Sequence, residues 1–139
     1  MSSLQDVQDI YARNYGSEKF YHRNYYTSLI YTEGILDFQK TLNAYWFVDW
    51  VIVNLKKVID IYKNTDDGFF VITITFDENN NSWIEIFREG YIDGKYCEHI
   101  TVLKDNIYRT NLPIFDYKFY LILSNSNPIQ FTLLLTSEY

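Results

Sequence analysis

A chain with one cysteine, two histidines and two prolines in 139 residues has little material for several kinds of chemistry. Cys97 alone cannot form an internal disulfide, and no Cys/His spacing resembles a zinc site. His22 and His99 are not at metal-binding spacing, and the chain has neither a glycine-rich phosphate loop nor a nucleophile elbow. The sequence therefore nominates no catalytic residue, no metal and no cofactor. Positive charge is also scarce, with 12 Lys and Arg against 18 Asp and Glu and a net charge of -6. Neutralising phosphates takes clustered cations, so bulk nucleic-acid or anionic-membrane affinity is not expected, although a small anionic ligand stays open. The acids come in pairs such as Asp66-Asp67 and Asp77-Glu78, too short for a strong nucleic-acid mimic. Long apolar runs are missing as well: the segment from Leu42 to Leu55 is interrupted by Asp49 and Asn54 and falls short of the roughly 20 residues a membrane span needs. Met1 to Asp6 lacks the basic and apolar regions of a signal peptide, so no membrane association and an intracellular location are expected.

Aromatic residues are abundant, at 19% with 14 Tyr and 10 Phe. Tyr combines a flat apolar face with a hydroxyl and suits partly buried binding surfaces. The same profile, with Ala only at Ala12 and Ala44, is also what an AT-rich genome produces. The densest aromatic stretch, Asn43-Ala44-Tyr45-Trp46-Phe47-Val48-Asp49-Trp50, encloses a carboxylate. Ionised Asp in apolar surroundings must be paired, hydrogen-bonded or wet, so Asp49 reads either as a structural polar contact or as the floor of a groove.

The length fits a single domain spanning residues 1–139. Leu4 to Arg13 has apolar residues at helical spacing, with Gly16 as a stop. Glu18 to Tyr26 has no clean period and reads as an irregular aromatic segment laid over something else. Thr32 is a candidate helix cap, and a helical region from Ile35 breaks near Asn43 because Asn tolerates the left-handed conformation. In the next helix Phe47, Val48, Val51, Leu55, Val58, Ile59 and Tyr62 share one face, while Asp49, Lys56, Asp60 and Lys63 line the opposite one. Leu42, Tyr45, Trp46 and Val53 form an aromatic and apolar wall at the start of that outer face. After the turn at Asn64 to Gly68 the period changes to two. Strands are expected over Phe70–Phe76, Ser82–Phe87, Tyr96–Leu103, Asn106–Thr110, Tyr117–Leu123 and Ile129–Thr136. Short links imply antiparallel pairing, so the fold class is α+β, with N-terminal helices packed on one face of a C-terminal antiparallel sheet of about five to six strands.

Candidate binding residues follow from the Asp49 wall. Tyr45, Trp46 and Asp49, with Tyr21, His22, Arg23 and Tyr25 from the segment that could cover them, make a groove able to take a base, a peptide side chain or a partner loop. In the alternative reading that segment closes over the wall and satisfies the carboxylate. Arg23, Arg88 and Arg109 are the guanidinium groups that could pair a bound phosphate or carboxylate. Cys97 and His99, at i and i+2 on one strand, lack an orienting partner or oxyanion donors in the sequence and read as structural. His22 likewise reads as locally hydrogen-bonded.

Five stretches, Ser17-Glu18-Lys19-Phe20-Tyr21, Leu29-Ile30-Tyr31-Thr32-Glu33-Gly34, Ala44-Tyr45-Trp46-Phe47-Val48-Asp49, Thr110-Asn111-Leu112-Pro113 and Thr136-Ser137-Glu138-Tyr139, resemble an uncharacterised bacterial, plasmid and phage domain-of-unknown-function family, family 6876. The chain departs from that pattern at Asn43, Asn111 and Thr136, where the family favours Gly, an acid and Pro. The resemblance brings no activity. It implies accessory cargo of phages and mobile elements, acting in the cytoplasm of a bacterial host.

The expected function is a non-catalytic binding protein, an inhibitor or modulator of a host defence protein of the anti-CRISPR type. The partner is then a host protein. One alternative is a sponge for a cyclic or ADP-ribose-type nucleotide signal; another is a small enzyme of unknown chemistry.

Overall fold

The structure, a computed structural model, describes residues 2–16, 18–108 and 110–139. Helix α1 (Leu4–Arg13) opens on a reciprocal cap: the Asp6 amide donates to Ser3 Oγ at 3.3 Å and the Ser3 amide to Asp6 Oδ2 at 2.8 Å. Two otherwise orphaned donors are satisfied at once, and Val7 and Ile10 turn into the core.

The segment expected to be irregular is instead a hairpin. Strands β1 (Phe20–Arg23) and β2 (Tyr26–Thr32) turn at Asn24, whose φ of 45° an asparagine tolerates. β1 has only four residues, with aromatics on both of its faces, so its sequence carries no period of two. β2 is fixed from far away: it pairs in parallel with the last strand, Leu29 opposite Phe131 and Tyr31 opposite Leu133.

Thr32 caps α2 (Glu33–Leu42), which ends at Asn43 with φ 52° in the left-handed region. Helix α3 (Trp46–Thr65) follows, burying Phe47, Val48, Val51, Leu55 and Val58 as the sequence pattern requires. Strands β3 (Phe69–Phe76), β4 (Ser82–Ile92), β5 (Lys95–Ile107), β6 (Tyr117–Ser126) and β7 (Ile129–Leu135) complete the chain before a terminal 3-10 turn, Thr136–Glu138. The two strands expected over Tyr96–Leu103 and Asn106–Thr110 are one strand, β5, which pairs with β4 without a break through Lys104 and Asp105 and ends at Ile107; its register shifts lie earlier, against Ile86/Phe87 and Arg88/Gly90.

The sheet has seven strands in the order β1-β2-β7-β6-β3-β4-β5. It is mixed rather than antiparallel, and larger than expected, because β1 and β2 join its far edge. The fold class is α+β. The helices share one core with Phe70, Ile72, Ile74, Ile84, Ile86, Phe119 and Leu121, and Phe47 lies 4.4 Å from Phe119 between ring centroids. No helix among the described residues is long and apolar enough to cross a membrane.

Two polar clusters lock the helical layer. Arg13 grips Asp37 through Nε at 2.6 Å and Nη2 at 2.7 Å, while Thr41 Oγ1 and Asn14 Nδ2 donate to the same carboxylate, tying α1 to α2. At the other end of α2, Glu138 Oε1 accepts from Thr32 Oγ1 at 2.6 Å and the Leu135 amide at 3.0 Å, and Oε2 from the Gly34 amide at 3.0 Å. This carboxylate sits where the helix dipole favours negative charge. Gly34 admits it: an added Cβ would lie 2.3 Å from Glu138 Oε1 and 2.7 Å from Leu135 Cδ1.

Substitution at either side of that contact should lower the urea midpoint. Glu138→Ala leaves three donors without their acceptor and is expected to cost about 1–3 kcal/mol. Gly34→Ala should also destabilise, although Ala gains up to about 1 kcal/mol in helix propensity. An unchanged midpoint for both would contradict the latch.

Acid should weaken the other cluster. Burial raises the Asp37 pKa, but hydrogen bonds from Arg13, Thr41 and Asn14 outweigh it and hold the carboxyl below its ordinary value. A depressed folded pKa gives stability that is present above the unfolded value of about 3.9 and lost as pH falls through the folded one. Asp37→Asn should therefore be less stable than the parent at pH 7 and lose less on acidification below about pH 4. Parallel stability curves for the two proteins would refute this.

Candidate functional site

The aromatic wall is split by the helix that carries it. Successive residues on α3 are about 100° apart, so Tyr45 and Asp49 share one stripe while Trp46 and Trp50 share another. On the first stripe Arg23 reaches across from β1: Nη2 donates to Gln39 Oε1 at 2.7 Å and to the Tyr45 carbonyl at 2.9 Å. Its Nε lies 3.4 Å from Asp49 Oδ1, and the Asp49 side chain is 65% exposed. Asp49 is therefore neither buried nor the floor of a groove; water solvates it, and the apolar neighbours in sequence point elsewhere.

The other candidate residues scatter. Tyr21 stacks on Tyr31 at 6.0 Å on the helix side of the sheet, His22 is exposed next to it, and Tyr25 is fully exposed in the β1–β2 turn. Arg109 lies outside the described residues. Arg88 pairs with Asp67 beyond the far end of α3. His99 Nε2 lies 2.8 Å from Glu85 Oε2, Thr101 Oγ1 donates to the same oxygen at 2.6 Å, and the imidazole stacks on Phe87 at 3.9 Å. Burial raises the Glu85 pKa, but the bonds from Thr101 and His99 prevail and hold it below the ordinary value. Cys97 Sγ contacts the Lys95 carbonyl at 3.8 Å, so the imidazole is engaged by Glu85 and Phe87 and the thiol by backbone.

The second stripe opens on a cleft of about 250 Å³ between the first turns of α3 and the end of β5, lined by Trp46, Trp50, Ile84, Asn106, Ile107, Tyr108 and Thr110. Trp50 Nε1 donates to Asp105 Oδ2 at 3.0 Å, which fixes the indole against β5. Asn106 Nδ2 donates to Tyr108 Oη at 3.4 Å, and Tyr108 is 82% exposed. Of the expected residues that the structure describes, only Trp46 lines this cleft. Trp50 and Tyr108 were not among the candidates, and the signal that could have found Trp50 is its i, i+4 spacing from Trp46.

Residues 5–139 match the model of a family of unknown function, DUF6876. The chain belongs to that family. Nothing matches it among curated proteins or solved structures. The stretches that carry the DUF6876 resemblance meet in space: Thr32 and Gly34 of one hold Glu138 of another, and Lys19 of a third donates its amide to Glu33 at 3.2 Å. In the fourth, the Leu112 side chain is buried and Asn111 Nδ2 donates to the Leu42 carbonyl at 3.5 Å, closing the end of α2. Much of the DUF6876 pattern in this chain thus holds the helices to the sheet.

The Arg23 contacts separate two substitutions on the first stripe. Arg23→Ala removes the donor to Gln39, a fully buried side chain, and should cost about 1–3 kcal/mol. Asp49→Ala removes an exposed carboxylate 3.4 Å from the Arg23 Nε, with no short hydrogen bond between them, and should cost no more than about 1 kcal/mol. Equal losses in denaturant midpoint would show that Asp49 contributes more than a solvated charge.

Proposed function

We propose that this protein acts by binding another protein, as an accessory factor of a phage or mobile element that inhibits or modulates a host defence protein in the bacterial cytoplasm. The observation that carries the binding reading is the Trp46–Trp50–Tyr108 cleft. At about 250 Å³ it falls below the roughly 300–1,000 Å³ of small-molecule sites, a size that suits one anchoring side chain of a partner better than a nucleotide. Aromatic residues are enriched at protein interfaces, and Tyr and Trp dominate the positions where truncation costs most. The mobile-element context rests on the family resemblance.

A nucleotide-signal sponge is the second reading, favoured by the paired indoles, since any base can stack on an aromatic ring.

Tagged protein used as bait in a lysate of the bacterial host should recover one stoichiometric partner, and Tyr108→Ala should recover at least about tenfold less, the effect of losing roughly 1.4 kcal/mol of contact. Equal recovery by the variant would remove the cleft from the interface, and repeated recovery of nothing would count against the binding reading. A thermal-shift screen of cyclic and ADP-ribose-type nucleotides tests the sponge: ligand at about 100 times its dissociation constant adds about 2.7 kcal/mol, and a flat response eliminates it.

A further inference from the structure

We infer that the cleft takes an arginine side chain of the partner protein, an assignment that rests on the protein-binding reading and names the chemistry the partner must bring. The lining supplies two indoles one helical turn apart and a phenol ring, whose negative faces attract cations. Asp105 adjoins the lining on β5, its Oδ2 accepting from the Trp50 indole, and a carboxylate has acceptor capacity beyond one such bond. A planar guanidinium stacks on aromatic rings and donates to a carboxylate at the same time, and it is less strongly hydrated than a lysine ammonium. Asn106 commits its Nδ2 to Tyr108, which leaves its Oδ1 as a further acceptor at the cleft.

Charge points the same way. The described residues lining the cleft include no cation, the Asp105 carboxylate adjoins it on β5 and the chain as a whole carries -6, a balance that favours a basic side chain over a carboxylate or phosphate. The partner then presents one arginine projecting far enough to insert.

The test is an NMR titration of the indole N–H resonances with pentapeptides that carry arginine, lysine, citrulline or leucine between glycine and serine flanks. Three tryptophans give three reporters, two in the cleft and Trp83 outside it. The arginine peptide should shift the Trp46 and Trp50 signals saturably, leave Trp83 unmoved, and bind at least about fivefold more tightly than the citrulline peptide. Asp105→Asn should weaken it at least about fivefold, whereas Asp60→Asn, the same charge change on the exposed side of α3, should not. Tyr108→Ala, a change at an exposed ring, provides a second loss of affinity should Asp105→Asn disturb folding.

The assignment is overturned if leucine binds as well as arginine, which marks an apolar anchor, or if citrulline does, which removes the charge. Equal weakening by Asp105→Asn and Asp60→Asn would overturn it too, reducing the effect to general electrostatics. Any of these outcomes leaves protein binding intact if the lysate partner is still lost with Tyr108→Ala. Arginine seating normally while no partner is ever recovered would instead overturn both, because a cleft without a protein partner has no arginine to receive.

Discussion

The carboxylate of Glu138 on the first turn of α2 is the contact through which the two ends of the chain constrain each other. It accepts from the Thr32 hydroxyl, the Gly34 amide and the Leu135 amide, so the end of β2, the start of α2 and the end of β7 converge on one side chain. A helix N-terminus has unpaired amides and a partial positive charge, and both are answered by a single acid. The parallel pairing of β2 with β7 depends on the same junction. Ser137 reinforces it by donating to the Asn14 carbonyl at 2.5 Å, which brings the end of α1 to the same place.

Seen from that junction, the helical layer is held by polar contacts at its margins and apolar contacts in its middle. Asp37 joins α1 to α2, Arg23 joins β1 to the entry of α3, and the rings of Phe38, Phe47 and Phe119 fill the space between. Aromatic pairs at these separations add to the area they bury, and Phe38, Phe47, Phe70, Phe119 and Phe131 work as core, whereas most of the tyrosines stay at least partly exposed. Tyr117 shows the cost of placing a phenol there. Its hydroxyl donates to the Pro113 carbonyl at 2.6 Å, and burial raises its pKa well above the ordinary value, keeping it neutral. Tyr11 is similar, pushed up to about 12 by burial while donating to the Lys118 carbonyl.

The sheet deals with its exposed long edge by irregularity. β5 has no neighbour on one side, and two register shifts against β4, together with Lys95 and Lys104, make it a poor template for another strand. The aromatic side chains that remain accessible are therefore the notable feature of that half of the molecule. Trp46, Trp50 and Tyr108 stand at the start of α3 and just past the end of β5, where strand and helix part and leave a cleft.

Local chemistry made much of this legible in the sequence. The Thr32 cap, the left-handed break at Asn43, the apolar face of α3 and the alternation of Phe70, Ile72 and Ile74 all follow from residues close to one another, because helix and strand periods are local properties. The family was legible too, through stretches whose meeting in space could not be read from their spacing. What tertiary structure alone decided was which distant groups face each other. β2 became a strand by pairing with β7 across most of the chain and carries β1 with it as a hairpin, Asp49 proved exposed because its stripe of α3 turns toward Arg23 and water, and Trp46 turned the other way, toward β5. A one-residue step on a helix is about 100°, so neighbours in sequence diverged while Trp50 and Asp105, far apart in sequence, came within hydrogen-bonding distance.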